Sequence, residues 1–363
     1  MRLSIFFFLL LFPCFHLSGS QSYNAIFSFG DSLSDTGNVV VAGLPYGMSF
    51  FGRPTGRCSN GRLVIDFIAE ALGLPLLPPS TAKGKSFLQG ANFACTAATT
   101  LGFRFFHRRG LSSGLWVNAS LSTQIRSFEK MMPSLCNSSQ ECKEYLSKSL
   151  FVVGEFGGND YNTPIFAGRS LKQVYTFVPK VIHAIHSGVE WLIGHGATEI
   201  VVPGMLPIGC FPMFLTLYST SNTNDYTDIG CLNKFNDLTS YHNSLLRRRL
   251  RGLQRRYSWT RIRYADFFDP TIRFITSPTQ YDLRNVAGFS DDGALKACCG
   301  AGGRGDYNVN LEAKCAEPGS DVCSDPSMYV SWDGIHLTEA AYRLIANGWL
   351  KGPYANPPIL QQN

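Results

Sequence analysis

The stretch Phe27-Ser28-Phe29-Gly30-Asp31-Ser32-Leu33-Ser34-Asp35-Thr36-Gly37-Asn38 sets one serine, Ser32, just past a short apolar run and inside a Gly/Asp-rich turn. Near the other end of the chain comes Asp333-Gly334-Ile335-His336. A serine hydroxyl is a weak nucleophile near neutral pH and needs a base within hydrogen-bond reach. A histidine serving as that base needs a carboxylate to orient it. These two segments hold all three parts.

His336 stands out among the histidines. His183 and His186 fall on a helical pattern, His195 sits between two glycines, His107 lies in a basic loop and His242 in a helical segment. Only His336 has a carboxylate close by in a turn-like setting. A tight turn through Gly334 brings Asp333 to its Nδ1 and leaves Nε2 for Ser32. Such a base works when neutral, so the rate should rise with pH through about 6–7. The same residues also fit a blander role as helix caps, with Thr338 and Glu339 marking a helix start.

A second serine competes for the nucleophile's place. Gly110-Leu111-Ser112-Ser113-Gly114 matches the G-x-S-x-G elbow. That motif needs a strand before it and a helix after it. Here basic residues precede it and a glycosylation sequon follows, so it reads as a polar loop.

The chain resembles the plant-type GDSL esterase/lipases of the SGNH hydrolase superfamily. Four blocks carry the resemblance, in the family's order: Phe29-Gly30-Asp31-Ser32-Leu33, Gly90-Ala91-Asn92-Phe93-Ala94, Gly154-Glu155-Phe156-Gly157-Gly158-Asn159-Asp160, and Trp332-Asp333-Gly334-Ile335-His336-Leu337. The resemblance implies an acyl-enzyme on Ser32 with His336 and Asp333 as its partners. It implies an oxyanion hole built from the Ser32 N–H, an N–H of the second block and the Asn159 side chain. Where the family carries a glycine, this chain aligns Ala97. Alanine keeps the N–H but disfavours the positive φ that glycine takes freely. The substrate class implied is an ester of a small molecule, a sugar or a lipid. No metal or cofactor is implied. An acyltransferase would use the same acyl-enzyme with an alcohol in place of water. A non-catalytic secreted binding protein on this scaffold is a third reading, and the intact Ser32, Asn159, Asp333 and His336 count against it.

These residues need a scaffold. At 363 residues, 45% apolar and 16% charged, with no long linker, the composition is that of one globular domain. Strand patterns at residues 23–29, 149–153, 199–202 and 261–264 alternate with helical patterns at 61–72, 171–193, 233–257 and 338–349. That alternation predicts an α/β three-layer sandwich, a central parallel sheet flanked by helices. With the resemblance, this becomes the flavodoxin-like SGNH hydrolase architecture. In such sheets, active sites gather at the carboxyl ends of the strands; Ser32 and Asn159 both follow strands.

Arg2, the apolar run from Leu3 to Phe15 and the small residues Ser18 to Ser20 form a secretory signal pattern. The expected organisation is a signal peptide at 1–20 and one hydrolase domain at 21–363. The apolar run is short for a membrane span, and nothing else in the chain approaches one. Secretion gives meaning to the sequons at Asn118 and Asn137. It also places the cysteines in an oxidising compartment. Eleven occur, and loss of Cys14 with the signal leaves an even number to pair. Their spacing is poor for zinc.

Net charge is +6, much of it between Arg247 and Arg263. Leu246, Leu250, Leu253 and Tyr257 recur there at helical spacing, so the arginines read first as the wet face of an amphipathic helix. The functional alternative is attraction to an acidic cell-wall polysaccharide or membrane surface. A signal peptide directs the chain away from nucleic acid.

Overall fold

A computed structural model describes residues 23–39, 43–278, 289–291, 293–303 and 307–361. The leader expected at 1–20, with Cys14, lies outside the described residues.

Five parallel strands form the centre: β1 (Ile26–Phe29), β2 (Gly90–Asn92), β3 (Leu150–Val153), β4 (Glu199–Pro203) and β5 (Arg261–Ala265). Their spatial order is β2-β1-β3-β4-β5. Two further short strands, β6 (Cys299–Gly300) and β7 (Asp321–Val322), pair antiparallel in a ribbon of their own. A last strand, β8 (Ala355–Asn356), lies antiparallel on the edge of β5. The expected helix-flanked parallel sheet is therefore present, with one correction: β8 makes the sheet mixed. A two-residue strand carries no period that a sequence can display.

The sheet is buried on both sides. Every residue of β1 and β3 is buried, which explains why both are apolar except for Ser28. Helix Val178–Gly194 packs on Asn233–Arg256 and Leu121–Met131, while Val64–Ala71 packs on Glu339–Lys351. Phe27 meets Phe128 at 4.9 Å and Phe29 stacks on Phe93 at 5.3 Å. Each such buried side chain stabilises the fold by roughly 1.5–3 kcal/mol.

The helical pattern over 171–193 resolves into two helices, Leu171–Tyr175 and Val178–Gly194. Pro179 causes the break. Its ring would clash with the carbonyl four residues back in a continuous helix, but it is well placed in a first turn.

Helix Asn233–Arg256 buries Leu246, Leu250 and Leu253. Arg248, Arg249, Arg251, Arg255 and Arg256 are exposed, as an amphipathic helix requires. Arg263 departs from that picture. It is fully buried on β5, paired with Glu199 of β4.

The order of the sheet reverses between β1 and β3. Their carboxyl ends open a crevice at that switch point, and the first and third sequence blocks leave the sheet there, beginning at Gly30 and Gly154.

Four disulfides join Cys136–Cys142, Cys210–Cys231, Cys298–Cys323 and Cys299–Cys315, leaving Cys58 and Cys95 as free thiols among the described residues. Thiol titration of the secreted, denatured and unreduced protein should therefore find about two thiols per chain. Finding eight or more would show that the bridges do not form.

Candidate active site

The segment Ser331 to Thr338 presents the histidine. Trp332 is fully buried and its N–H donates to the His336 carbonyl at 2.7 Å, closing a tight turn. Within the turn, Asp333 Oδ1 accepts the N–H groups of Ile335 at 3.0 Å and His336 at 2.8 Å. Gly334 takes φ +97, and an added Cβ there would meet Val309 at 2.8 Å, so the turn needs glycine. The Cys298 and Cys299 N–H groups donate to the Ser331 and Trp332 carbonyls at 3.0 and 2.7 Å. The two bridges nearest the C-terminus thus brace this turn directly. Thr338 caps the helix that follows, its hydroxyl accepting from the Ala341 N–H.

This turn aims the imidazole at the first block. His336 Nδ1 lies 2.7 Å from Asp333 Oδ2, and His336 Nε2 lies 2.8 Å from Ser32 Oγ. With the Nδ1 proton donated to Asp333, Nε2 is left to accept from the serine hydroxyl. The structure brings together the three residues that the sequence singled out. Burial alone would lower the pKa of His336, but the Asp333 carboxylate outweighs it, helped by Asp31, and lifts the imidazole above its ordinary value. Burial likewise pushes Asp333 up, and His336 with the two turn N–H groups holds it below the usual carboxylate range. The imidazole therefore titrates higher than an ordinary histidine.

The blocks are tied to one another. Asp35 Oδ2 accepts the Thr96 N–H at 2.7 Å, and Asn92 Nδ2 donates to the Ser34 carbonyl at 2.6 Å. Asn38 Nδ2 donates to the Asn92 and Ala94 carbonyls. Gln124, on helix Leu121–Met131, pairs with the Gly30 backbone in both directions, at 2.9 and 2.8 Å. These bonds fix Ser32 relative to the second block before any substrate arrives.

Asn159 stands in the first turn of helix Gly158–Phe166. Gly157 precedes it at φ +124, where a Cβ would lie 2.9 Å from the His242 ring. The Asn159 amide donates to Asp31 Oδ2 at 2.8 Å and to the Ala98 carbonyl at 3.0 Å. It thereby spans the residues next to Ser32 and Ala97. Both its protons are engaged, so donation to a substrate requires release of Ala98. The backbone N–H groups of Ser32 and Ala97 carry no hydrogen bond to a protein group among the described residues. Ala97 adopts φ +62, the conformation glycine would take. The alanine keeps the backbone path at the cost of strain.

Three buried carboxyls lie beneath the site. Burial pushes Asp31 up to about 7 and Asp160 up to about 6. It also raises Glu155 well above the usual range, with the neighbouring Asp31 and Asp160 adding to the shift. Asp160 is held by the Thr100 and Leu101 N–H groups at 2.7 and 2.9 Å.

Sequence reasoning missed several residues. It gave no role to Asp31, Gln124 or Tyr46, whose hydroxyl lies 2.8 Å from Asp333 Oδ2. Their partners are 94 to 287 residues away in the chain.

The GDSL-like lipase/acylhydrolase family model matches residues 26–349. This chain belongs to that family. Two GDSL esterase/lipases of Arabidopsis thaliana are 47% and 44% identical to it. The matches cover 92% and 93% of this chain and 92% and 85% of the relatives. A sinapine esterase of Brassica napus is 42% identical, with 93% of this chain and 87% of that protein covered. A phospholipase A1 from Streptomyces albidoflavus NA297 overlaps 74% of this chain and 91% of its own at a TM-score of 0.34 and 14% identity, too loosely to inform the site. The chain is thus a hydrolase of the GDSL esterase/lipase type.

In this GDSL hydrolase the competing serine makes no hydrogen bond with Ser32, His336 or Asp333 among the described residues. Ser112 opens a 3-10 turn that follows the helix Phe103–His107, with no strand before it. Its hydroxyl lies 3.3 Å from an exposed His107 that has no carboxylate partner among the described residues. A cavity of about 520 Å³ beside Cys136–Cys142 is lined by Glu129, Lys143 and His195. It lies at the amino-terminal edge of the sheet, away from Ser32.

Ala97→Gly should raise stability by up to about 1.5 kcal/mol. The left-handed strain of alanine, roughly 1–2 kcal/mol, is relieved, less roughly 0.5–1 for the added chain entropy of glycine. The N–H direction is unchanged, so kcat should stay within about twofold of wild type. A melting curve and a steady-state assay check this; a folded Ala97→Gly variant with a tenfold lower kcat would contradict it. Proline is not a useful probe here, because its fixed φ conflicts with +62.

Proposed function

We propose that this protein is a secreted serine esterase that hydrolyses carboxylic esters through an acyl-Ser32 intermediate. The reading rests on one observation: Ser32 Oγ, His336 and Asp333 form a relay of 2.8 and 2.7 Å contacts at the sheet's switch point. His336 Nε2 takes the hydroxyl proton as Oγ attacks the ester carbonyl. Asp333 holds the imidazole and stabilises the imidazolium that forms. The developing oxyanion accepts from the Ser32 and Ala97 N–H groups and from Asn159 as it leaves Ala98. Each donor is worth roughly 3 kcal/mol to the transition state. His336 then passes its proton to the departing alcohol. Water, deprotonated by the same nitrogen, releases the acid and restores Ser32.

Residues 1–20 act as the signal peptide, and residues 21–363 form one hydrolase domain. The exposure of Asn118 and Asn137 suits glycosylation of a secreted chain. Four disulfides suit the same compartment. The exposed arginines of helix Asn233–Arg256 would favour an acidic cell-wall polysaccharide. The substrate is an ester of a small molecule, a sugar or a lipid. The similarity to a sinapine esterase makes sinapine one ester to include in a substrate panel.

A fluorophosphonate should leave its adduct on Ser32, read by peptide mass spectrometry. Ser32→Ala should lose the label and at least about 10⁴-fold in kcat. An adduct on Ser112, or unchanged labelling of Ser32→Ala, would overturn the assignment.

A further inference from the structure

Asp333 Oδ2 accepts two hydrogen bonds. One comes from His336 Nδ1 at 2.7 Å, the other from the Tyr46 hydroxyl at 2.8 Å. Asp333 Oδ1 takes the two turn N–H groups, so both carboxylate oxygens have two donors. Tyr46 reaches Asp333 across 287 residues of chain. Its ring packs edge-on against Trp332, the residue that opens the turn, with centroids 6.0 Å apart.

The segment carrying Tyr46 is itself fastened to the histidine turn. The Gly47 N–H donates to the Ser59 carbonyl at 2.9 Å and the Ser49 N–H to the Asn60 carbonyl at 2.8 Å. The Ser59 hydroxyl donates to the Leu337 carbonyl at 3.0 Å, and Asn60 Oδ1 accepts the Glu339 N–H at 2.8 Å. Arg62 then pairs with Glu339 at 2.7 Å. Residues 46–62 thus run as a strap alongside residues 332–339, with Tyr46 at its tip.

We infer that Tyr46 is a positioning residue of the triad, holding the Asp333 carboxylate toward His336 and moderating the basicity of the imidazole. The inference rests on the proposed role of Ser32 and its two partners. A carboxylate oxygen that shares its charge between two donors gives less to each. With the hydroxyl present, His336 is less basic than Asp333 alone would make it, and the carboxylate cannot rotate away. Burial and the neighbouring Asp333 charge push the phenol far above its ordinary value, so it remains a neutral donor. The other ionisable groups facing this pair are Asp31 toward His336, Cys58 and Tyr342 toward Asp333, and Glu317 toward Tyr46. None of them hydrogen-bonds Asp333 among the described residues.

Tyr46→Phe keeps the ring and removes the donor. The pH profile of kcat/KM, with a small activated ester, reads the effect. The acidic limb should move upward by roughly half a pH unit or more. Plateau kcat should fall several-fold, with KM within about twofold of wild type. A second variant carries 3,5-difluorotyrosine at position 46, a stronger donor of nearly the same shape. Its limb should move the other way, toward lower pH. A limb that stays at the wild-type position in both variants, or that moves opposite to these directions, overturns the role of Tyr46. Fluorophosphonate labelling of Ser32 separates the two levels. A wild-type Ser32 that takes no label overturns the esterase reading and this inference with it. Normal labelling with unmoved limbs overturns Tyr46 alone.

Discussion

The contact between the Asp333 carboxylate and the His336 imidazole is the constraint from which the rest of the site follows. Both side chains are nearly buried, at 9% and 13% exposure. Burial acts against each charge separately, raising Asp333 and lowering His336, and each is returned by the other. A buried charge without its partner is expensive, so the geometry must be held tightly. The chain does so with a glycine at φ +97, a buried tryptophan, two disulfides and the Tyr46 strap. The same pairing has a sign in stability. The raised imidazole adds stability below its unfolded value, and this is lost as pH rises through the folded value. The lowered carboxylate adds stability above its unfolded value, lost as pH falls through the folded one.

Ser32 meets this pair because of how the sheet is ordered. β1 and β3 are neighbours with connections running to opposite sides, and the loops that leave their ends must diverge. Into that opening come the first block from β1, the third block from β3 and the last block from beyond the sheet. The cross-links are dense: Asp35 to Thr96, Asn92 to Ser34, Gln124 to Gly30, and Asn159 to Asp31. If the Ser32 and Ala97 N–H groups receive the oxyanion as proposed, such bracing serves them, because backbone donors can adjust little when charge develops. The strained φ of Ala97 fits that view. The loop follows the path its hydrogen bonds dictate, whatever the preference of the side chain.

What the sequence revealed was local. Ser32, Asp333 and His336 sit in short blocks whose residue types fit one chemistry, Asn159 was marked by the family resemblance, and short strand-like segments disclosed β1, β3, β4 and β5. Residues whose meaning depends on a distant partner stayed hidden. Tyr46 is one of fifteen tyrosines, and nothing near it in the chain hints at a carboxylate 287 residues away. Gln124 looks like an ordinary helix residue until its pairing with Gly30 is seen. β2 and β8 are three and two residues long, too short to show a period. Ala97 was legible as an alanine in a glycine's place. That it takes the glycine conformation depends on the braced loop around it.

The most direct test is the titration of the His336 imidazole itself in the free enzyme. Histidine labelled at Cε1, followed by NMR and assigned with His336→Gln, separates this ring from the buried Asp31, whose carboxyl burial pushes up to about 7. The expected midpoint lies above the ordinary value of 6.5 in the wild type and falls in Asp333→Asn. A wild-type midpoint at or below 6.5, or one that Asp333→Asn leaves unmoved, would show that the carboxylate does not govern the base.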